Sequence, residues 1–408
     1  YPDFKSSICS SPTGVGDPAF SQPANLTAAA SASTSSSAQQ PIAESGRCRV
    51  DLSAVQRHLR IAYIGPEWGT SLHRARALER LRHTVTLIDP WSWLGRSKWV
   101  ARWLHHAGGF GVGLRIDRRL FEAVAAAKPE LIFVNQGEFL GPALVKRLRT
   151  LDVPIVNYTN DNPFGGYGFG RYGGLRFHHY RKAIPLYDLL AVTFAENVAQ
   201  AHKAGARHVM RVWLTADEVV HQPRELSPEV RERYAADVAF IGTWMPERGP
   251  FMAELIGRGV PLSLWGERWH KAPEWPVIAP HWRGPGIYDD DGYAAAIQSA
   301  RICLGLLSKG NRNLHTGRSL QIPALGGLLC AQRTSEHQAL YEEGREAIFW
   351  EDAAECAAQC QRLLADEPLR REIARRGQER ARRNNHYNEP MLTRIIEVAF
   401  TVARGRQQ

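Results

Sequence analysis

The chain has 408 residues, enough for two or three domains, and its 44% hydrophobic and 23% charged content suits a globular protein with a sizeable core. No run of about 18 apolar residues occurs, so no transmembrane helix is expected. A net charge of +10 points to anionic partners such as nucleotide phosphates, membrane surfaces or acidic glycans. With no zinc-ribbon, helix-turn-helix or RNA-binding signature, nucleic acid is not expected among them.

Residues 1–58 differ in kind from the rest. Thr27–Gln40 is almost entirely Ala and Ser without periodicity, the composition of a disordered segment. The sequence opens on Tyr1 rather than Met and has no continuous apolar stretch of the sort a secretory leader needs. Regular structure is expected from the apolar strand Arg60–Gly65, followed by the turn Pro66–Thr70. Leu72, Ala75, Leu78 and Leu81 then recur at helical spacing, with Arg and Glu on the other face. Strands follow at Val85–Asp89, Leu131–Val134, Pro154–Tyr158, Leu189–Val192 and Val209–Trp213. Helices alternate with them near Leu120–Ala127, Ala143–Leu148 and Val198–Ala204.

The polar stretch His221–Arg233, with Pro223 and Pro228, reads as a linker. The pattern then restarts. Strands are expected at Val238–Gly242, Pro261–Trp265, Ile302–Leu307 and Ala347–Trp350. Helices are expected near Phe251–Ile256, Tyr293–Ser299 and Ser335–Tyr341, and then on to Arg383. Such alternation predicts an α/β protein with two doubly wound, Rossmann-like domains, at 59–222 and 223–385. The ligand should sit in the cleft at the carboxyl ends of the strands. Residues 386–408 read as a terminal helix that packs back on the first domain.

The six cysteines form no CxxC pair. Cys356 and Cys360 lie one helical turn apart with no further Cys or His expected beside them, which predicts buried free thiols in a reducing cytosol rather than a metal site.

Asn313–Gly327, NLHTGRSLQIPALGG, is the most informative stretch. A strand precedes it, then a basic loop with Lys309 and Arg312. His315, Thr316 and Arg318 lead into a short helix that breaks at Gly326-Gly327. Backbone N–H groups at a helix start and nearby cations both favour a phosphate-bearing ligand, although any α/β protein has such loops.

The ordered motifs across both halves resemble the CgeB-like, spore-maturation-type glycosyltransferases. In the first half these are Gly137–Leu140, Asn157–Phe164, Tyr187-Asp188 and Gly205–Arg207. In the second half they are Asp237–Trp244, His315–Ser319, Ile322–Ala324 with Gly326-Gly327, and Gly344–Ala347. The resemblance implies a GT-B fold and transfer of a sugar from a nucleotide-sugar donor to an acceptor. The donor would sit on the second domain and most of the acceptor on the first, with no metal or other cofactor. It makes Gly242, Thr243, Arg312, Asn313, His315, Thr316, Gln321 and Ile322 donor-binding candidates. Arg318 and Lys309 are the candidates to offset leaving-group charge. Related retaining enzymes carry a Glu-x7-Glu motif whose positions fall here at Asn313 and Gln321. An amide still hydrogen-bonds a hydroxyl but brings no negative charge and no base. A catalytically attenuated nucleotide-sugar or glycan-binding protein is therefore the alternative, and a GT-B epimerase a third reading.

On the first domain, Asp161 in an Asn-Asp-Asn-Pro turn is either a base facing the cleft or an Asx-turn residue. Glu67, Trp68, Gly69, Glu138 and Asn162 follow strand ends and are acceptor candidates or plain turn residues. Asp289-Asp290-Asp291 precedes a helix and reads as its cap rather than a metal site. The Trp-rich stretch Trp91–His106, with Arg96, Lys98 and Arg102, could present Trp99, Val100, Trp103 and Leu104 to a membrane surface carrying a lipid-linked acceptor. Ordinary packing on the first domain is the reading preferred over it. Localisation is expected to be cytoplasmic, at the inner membrane surface if that contact forms. The arginine-rich Arg370–Arg383 reads as a solvated helix face.

Overall fold

The computed structural model describes residues 57–94, 97, 99–100, 103–104, 108–165 and 175–405. The expected segment 1–58 lies outside them except for its last two residues, as do Cys9, Cys48, Arg96, Lys98 and Arg102.

Two parallel sheets form the frame. In the first, β1 (Arg60–Ile64), β2 (Thr84–Ile88), β3 (Leu131–Asn135), β4 (Ile155–Thr159), β5 (Leu189–Val192) and β6 (Val209–Arg211) take the order β2-β1-β3-β4-β5-β6. In the second, β7 (Ala236–Ile241), β8 (Leu262–Trp265), β9 (Trp282–Gly284), β10 (Ala300–Gly305), β11 (Leu329–Gln332) and β12 (Ile348–Trp350) take the order β12-β11-β10-β7-β8-β9. Every pairing is parallel. The near-continuous apolar runs of the sequence are the strands buried on both faces, as β3 and β4 are throughout. The strand order reverses between β1 and β3 in the first sheet and between β7 and β10 in the second. Those are the points where α/β folds open a crevice at the carboxyl ends.

The chain passes between domains twice. Val212 packs in the first-domain core and Ala216 in the second. On the way back, Tyr387 still belongs to the second-domain core while Met391 lies in the first. The two passes touch in a parallel bridge between Ala216 and Tyr387. Arg80 ties both to the first domain through Asp217 (2.9 Å), Glu218 (2.8 Å) and Glu389 (2.5 Å). The last helix, Asn388–Arg404, lays Met391, Leu392, Ile395, Ile396 and Ala399 on the core under β1, β3 and β4. Replacing the fully buried Leu392 by Ala should therefore cost about 3 kcal/mol, read as a lower urea midpoint with unchanged slope.

Three sequence expectations change. The stretch expected as a linker begins with a buried His221 and folds Pro228–Tyr234 into a helix, with Ser227 as its N-cap. The crossing lies earlier, because Leu214 and Thr215 sit at the cleft. In helix Gly69–Arg80 the buried face holds His73 and Arg74 as well as Ala75 and Leu78, since its first turns face the other domain rather than a core. Finally, Cys330 on β11 joins Cys356 and Cys360, on the helix Ala353–Ala365, in a buried cluster with Sγ atoms within 4.8 Å of one another. Sheet-to-helix packing brings them together across a sequence gap that no local pattern reveals. Hydrogen bonds from Cys356 and Cys360, with burial, push the Cys330 thiol well above its usual range. Cys330 therefore packs as a small protonated group among apolar neighbours.

The Trp-rich stretch divides. Trp91, Trp93, Leu94, Val100 and Trp103 pack against the first-domain core and Leu104 is buried, whereas Trp99 is 76% exposed. Among the described residues no helix is long and apolar enough to cross a membrane. In the helix Glu367–Asn384, Arg370 is buried, while Arg375 is exposed and pairs with Glu372 and Glu379.

Candidate active site

The two sheet reversals face each other across a cavity of about 320 Å³, within the size range of small-molecule sites. The first domain supplies Thr70 and Arg74 from the helix after β1, and Asn160 from the end of β4. Leu214 and Thr215 come from the crossing. The second domain supplies Thr243 and Met245 after β7, Arg248, Ser308 after β10, and Asn313, Thr316, Gly317, Arg318 and Gln321. Three of these residues are arginines and none is a carboxylate.

Arg248 is 4% exposed. Its guanidinium donates to the carbonyls of Thr243 (2.7 Å) and Leu307 (3.1 Å), stapling together the loops that leave β7 and β10. Its Nε is buried without a partner. Burial, and then the like charge of Arg318, push its pKa down to about 9. Arg318 donates from Nε to the Ile241 carbonyl at 2.7 Å, and burial lowers its pKa too. Gly242 admits this arrangement, since a Cβ there would stand 2.8 Å from Arg318 Nη2. Two desolvated cations side by side, with no acid in the cavity, make a strong field for an anion.

The helix Gly317–Ala324 is held by a buried relay. The Thr316 N–H donates to Ser319 Oγ (3.0 Å) and Ser319 Oγ–H to His337 Nε2 (2.7 Å). His337 Nδ1–H donates in turn to the Gln332 carbonyl (2.6 Å). His315 is buried and spans the domains. Its Nε2 accepts from Leu214 N–H at 3.2 Å and its Nδ1–H donates to Glu336. Both ring nitrogens are thus engaged within the protein, and His315 orients rather than grips a ligand. Gln321 Oε1 accepts from the Tyr293 hydroxyl at 3.0 Å, and Gln321 borders the cavity.

Other candidates sit elsewhere. Lys309 and Arg312 are exposed and do not line the cavity; the Lys309 N–H folds the loop back onto Glu247 at 3.1 Å, and Arg312 takes φ +54°. Ile322 packs in the core beneath the site. Asn162 is fully buried, and its side chain is spent on structure. Its Oδ1 accepts from the Phe164 and Gly165 N–H groups and from Asn197, while its Nδ2 donates to Glu196. This is the Asx-turn role. Asp161 accepts from Arg176 at 2.8 Å, and Glu138 lies 3.8 Å from the same guanidinium, its carboxyl pushed up by burial. Neither borders the cavity, although Asn160 beside Asp161 does. Glu67 and Trp68 are exposed, and Gly69 opens its helix at φ +55°. Asp289 caps the helix Asp290–Ser299 through the Gly292 N–H, Asp290 bonds His73 across the cleft at 3.1 Å, and Asp291 pairs with Arg224. Sequence reasoning missed Arg248 and Arg74. The motif Asp237–Trp244 stops just short of the first, and the second was assigned to a solvent face.

Burial holds His221 and His337 near a pKa of about 4. The unfolded chain, with histidines near 6.5, takes up protons between pH 6.5 and 4 that the folded chain refuses. Stability is therefore full above pH 6.5 and falls with pH below it. The loss is about 1.4 kcal/mol per pH unit for each of the two histidines, measurable by urea denaturation at pH 7 and pH 5.

No curated protein sequence matches the chain. Residues 248–396 match a family model described as Glycosyl transferase-like. Among solved structures, Anabaena HepE in complex with UDP-glucose is 13% identical, with 84% of this chain and 100% of HepE covered and a TM-score of 0.59. Sucrose-phosphate synthase from Thermosynechococcus elongatus is 11% identical, with 84% and 99% covered and a TM-score of 0.60. The α,α-trehalose 6-phosphate synthase from Burkholderia multivorans is 13% identical, with 86% and 99% covered and a TM-score of 0.55. At such identities the likeness is one of fold. The chain has the GT-B fold, and its second domain carries glycosyltransferase-like sequence.

Proposed function

We propose that this protein transfers a sugar from a nucleotide-sugar donor to a hydroxyl acceptor held on the first domain. The observation that carries the reading is the cavity between the two sheet reversals, lined among the described residues by three arginines and no carboxylate. Arg248 and Arg318 sit on the second-domain wall, where a diphosphate offers the charge they lack. As the sugar leaves, negative charge grows on the departing nucleotide, and preorganised guanidiniums stabilise it. The lining offers no carboxylate to hold a divalent cation, which supports a metal-independent reaction. Asn313 and Gln321 supply amide groups for ribose or sugar hydroxyls. HepE is known in complex with UDP-glucose, so UDP sugars head the panel of donors to try.

A second reading, a donor-binding protein with attenuated turnover, is favoured by those same two amides. The test is thermal shift with UDP, GDP, ADP and CDP sugars, followed by nucleotide release with and without acceptor, in the presence of a chelator. Stabilisation with acceptor-dependent release is the expected result. Stabilisation without release favours the binding protein, and no stabilisation by any nucleotide sinks both. Trp99 is exposed, and lower vesicle binding on its replacement is the result that would support a lipid-linked acceptor.

A further inference from the structure

We infer that the acceptor is anionic, a molecule bearing a phosphate monoester that Arg74 binds on the first-domain wall. This rests on the transferase reading above and names its second substrate class.

Arg74 lines the cavity yet is only 3% exposed. Among the described residues its partners are uncharged. Nε donates to Asn135 Oδ1 at 2.9 Å and Nη2 to Thr70 Oγ1 at 3.3 Å, and the guanidinium stacks 4.5 Å above the Tyr158 ring. The Tyr63 hydroxyl is also close, and burial keeps both tyrosines protonated. A buried cation ringed by neutral groups is unfavourable unless a counter-charge arrives from outside. The described residues of the cavity wall supply none.

The counter-charge is not the one that serves the donor. Arg248 and Arg318 reach the cavity from the loops and helix of the second domain, and each is bonded to a second-domain carbonyl. Arg74 also belongs to the opposite domain. The helix that carries it, Gly69–Arg80, begins without a side-chain cap and without an acidic residue in its first turn. Its open N–H groups add to the positive potential at Thr70. Two anion positions thus face each other, one on each wall. In the transfer, the bond from the anomeric carbon to the donor phosphate oxygen breaks and a bond to the acceptor hydroxyl oxygen forms. The hydroxyl proton leaves to the released diphosphate or to solvent. Arg74 holds the acceptor's phosphate and takes no part in that exchange of bonds.

The experiment titrates glucose 6-phosphate, glucose 1-phosphate, glucose, and vesicles carrying a polyprenyl phosphate into the full chain, with and without saturating UDP. Binding of at least one phosphate-bearing probe is expected, with glucose at least about tenfold weaker. Arg74→Gln should weaken that probe about 30-fold, and weaken it more than it weakens UDP. Arg74→Lys, which keeps the charge if the glutamine variant fails to fold, should recover most of the binding. Preference for the soluble sugar phosphates or for the vesicles identifies the source of the phosphate. Equal binding of glucose, no binding of any phosphate-bearing probe, or a loss of UDP affinity in Arg74→Gln as large as the loss of the probe each overturns the proposal. UDP binding that fails in the wild type while a sugar phosphate still binds through Arg74 overturns the donor reading alone.

Discussion

Replacing Arg318 by methionine should weaken binding of a nucleoside diphosphate about 100-fold without lowering the melting temperature of the free protein by more than about 2 °C. The two readouts separate because Arg318 is strained electrostatically when the cavity holds no anion. Its guanidinium is desolvated, stands beside Arg248, and finds no carboxylate in the lining. Removing such a charge relieves a desolvation cost, which offsets loss of the 2.7 Å bond to the Ile241 carbonyl. In the complex the sign reverses. A charge-assisted bond to a phosphate in a water-poor cavity contributes about 3 kcal/mol, which is the 100-fold loss. Calorimetric titration with UDP and a melting curve without ligand measure the two. A large drop in melting temperature with unchanged affinity would assign Arg318 to the fold instead.

Gly266→Ala should behave the opposite way, destabilising the protein by about 4 kcal/mol or more before any ligand is added. Gly266 leaves β8 at φ +155°, and a Cβ there would meet the Gly242 carbonyl oxygen at 1.9 Å, an atom of the backbone. That carbonyl already accepts from the buried Trp269 indole at 3.0 Å. The loop cannot yield without breaking this bond and moving Gly242, against which Arg318 rests. Denaturation in urea reads the stability loss. A variant with wild-type stability would show that the approach of the two loops is relaxed in solution.

These two variants show what kind of information a sequence carries. The strands were legible because burial on both faces leaves apolar runs, and Asn313, Thr316, Arg318 and Gln321 were legible because one loop and one helix start hold them all. Arg248 and Arg74 were not. Each is a cation in a stretch that looks solvated, and each is buried by an element more than 50 residues away in sequence, as the Leu307 and Asn135 partners show. The contact of Cys330 with Cys356 and Cys360 was missed because a strand meets a helix there, across a gap that no local pattern spans. Asn162 misled in the other direction: an Asn-Pro turn at a strand end looks the same whether it faces a substrate or folds on itself, and only its side-chain hydrogen bonds decide.

The paired passes between domains have a mechanical meaning. A single connecting strand would let the two halves swivel, tilt and slide. Two passes joined at Ala216 and Tyr387 and pinned by Arg80 restrict such motion. The joint thus helps hold Arg74 on one wall at a set distance from Arg318 on the other, and an anion bound between the walls meets a gap that is already built.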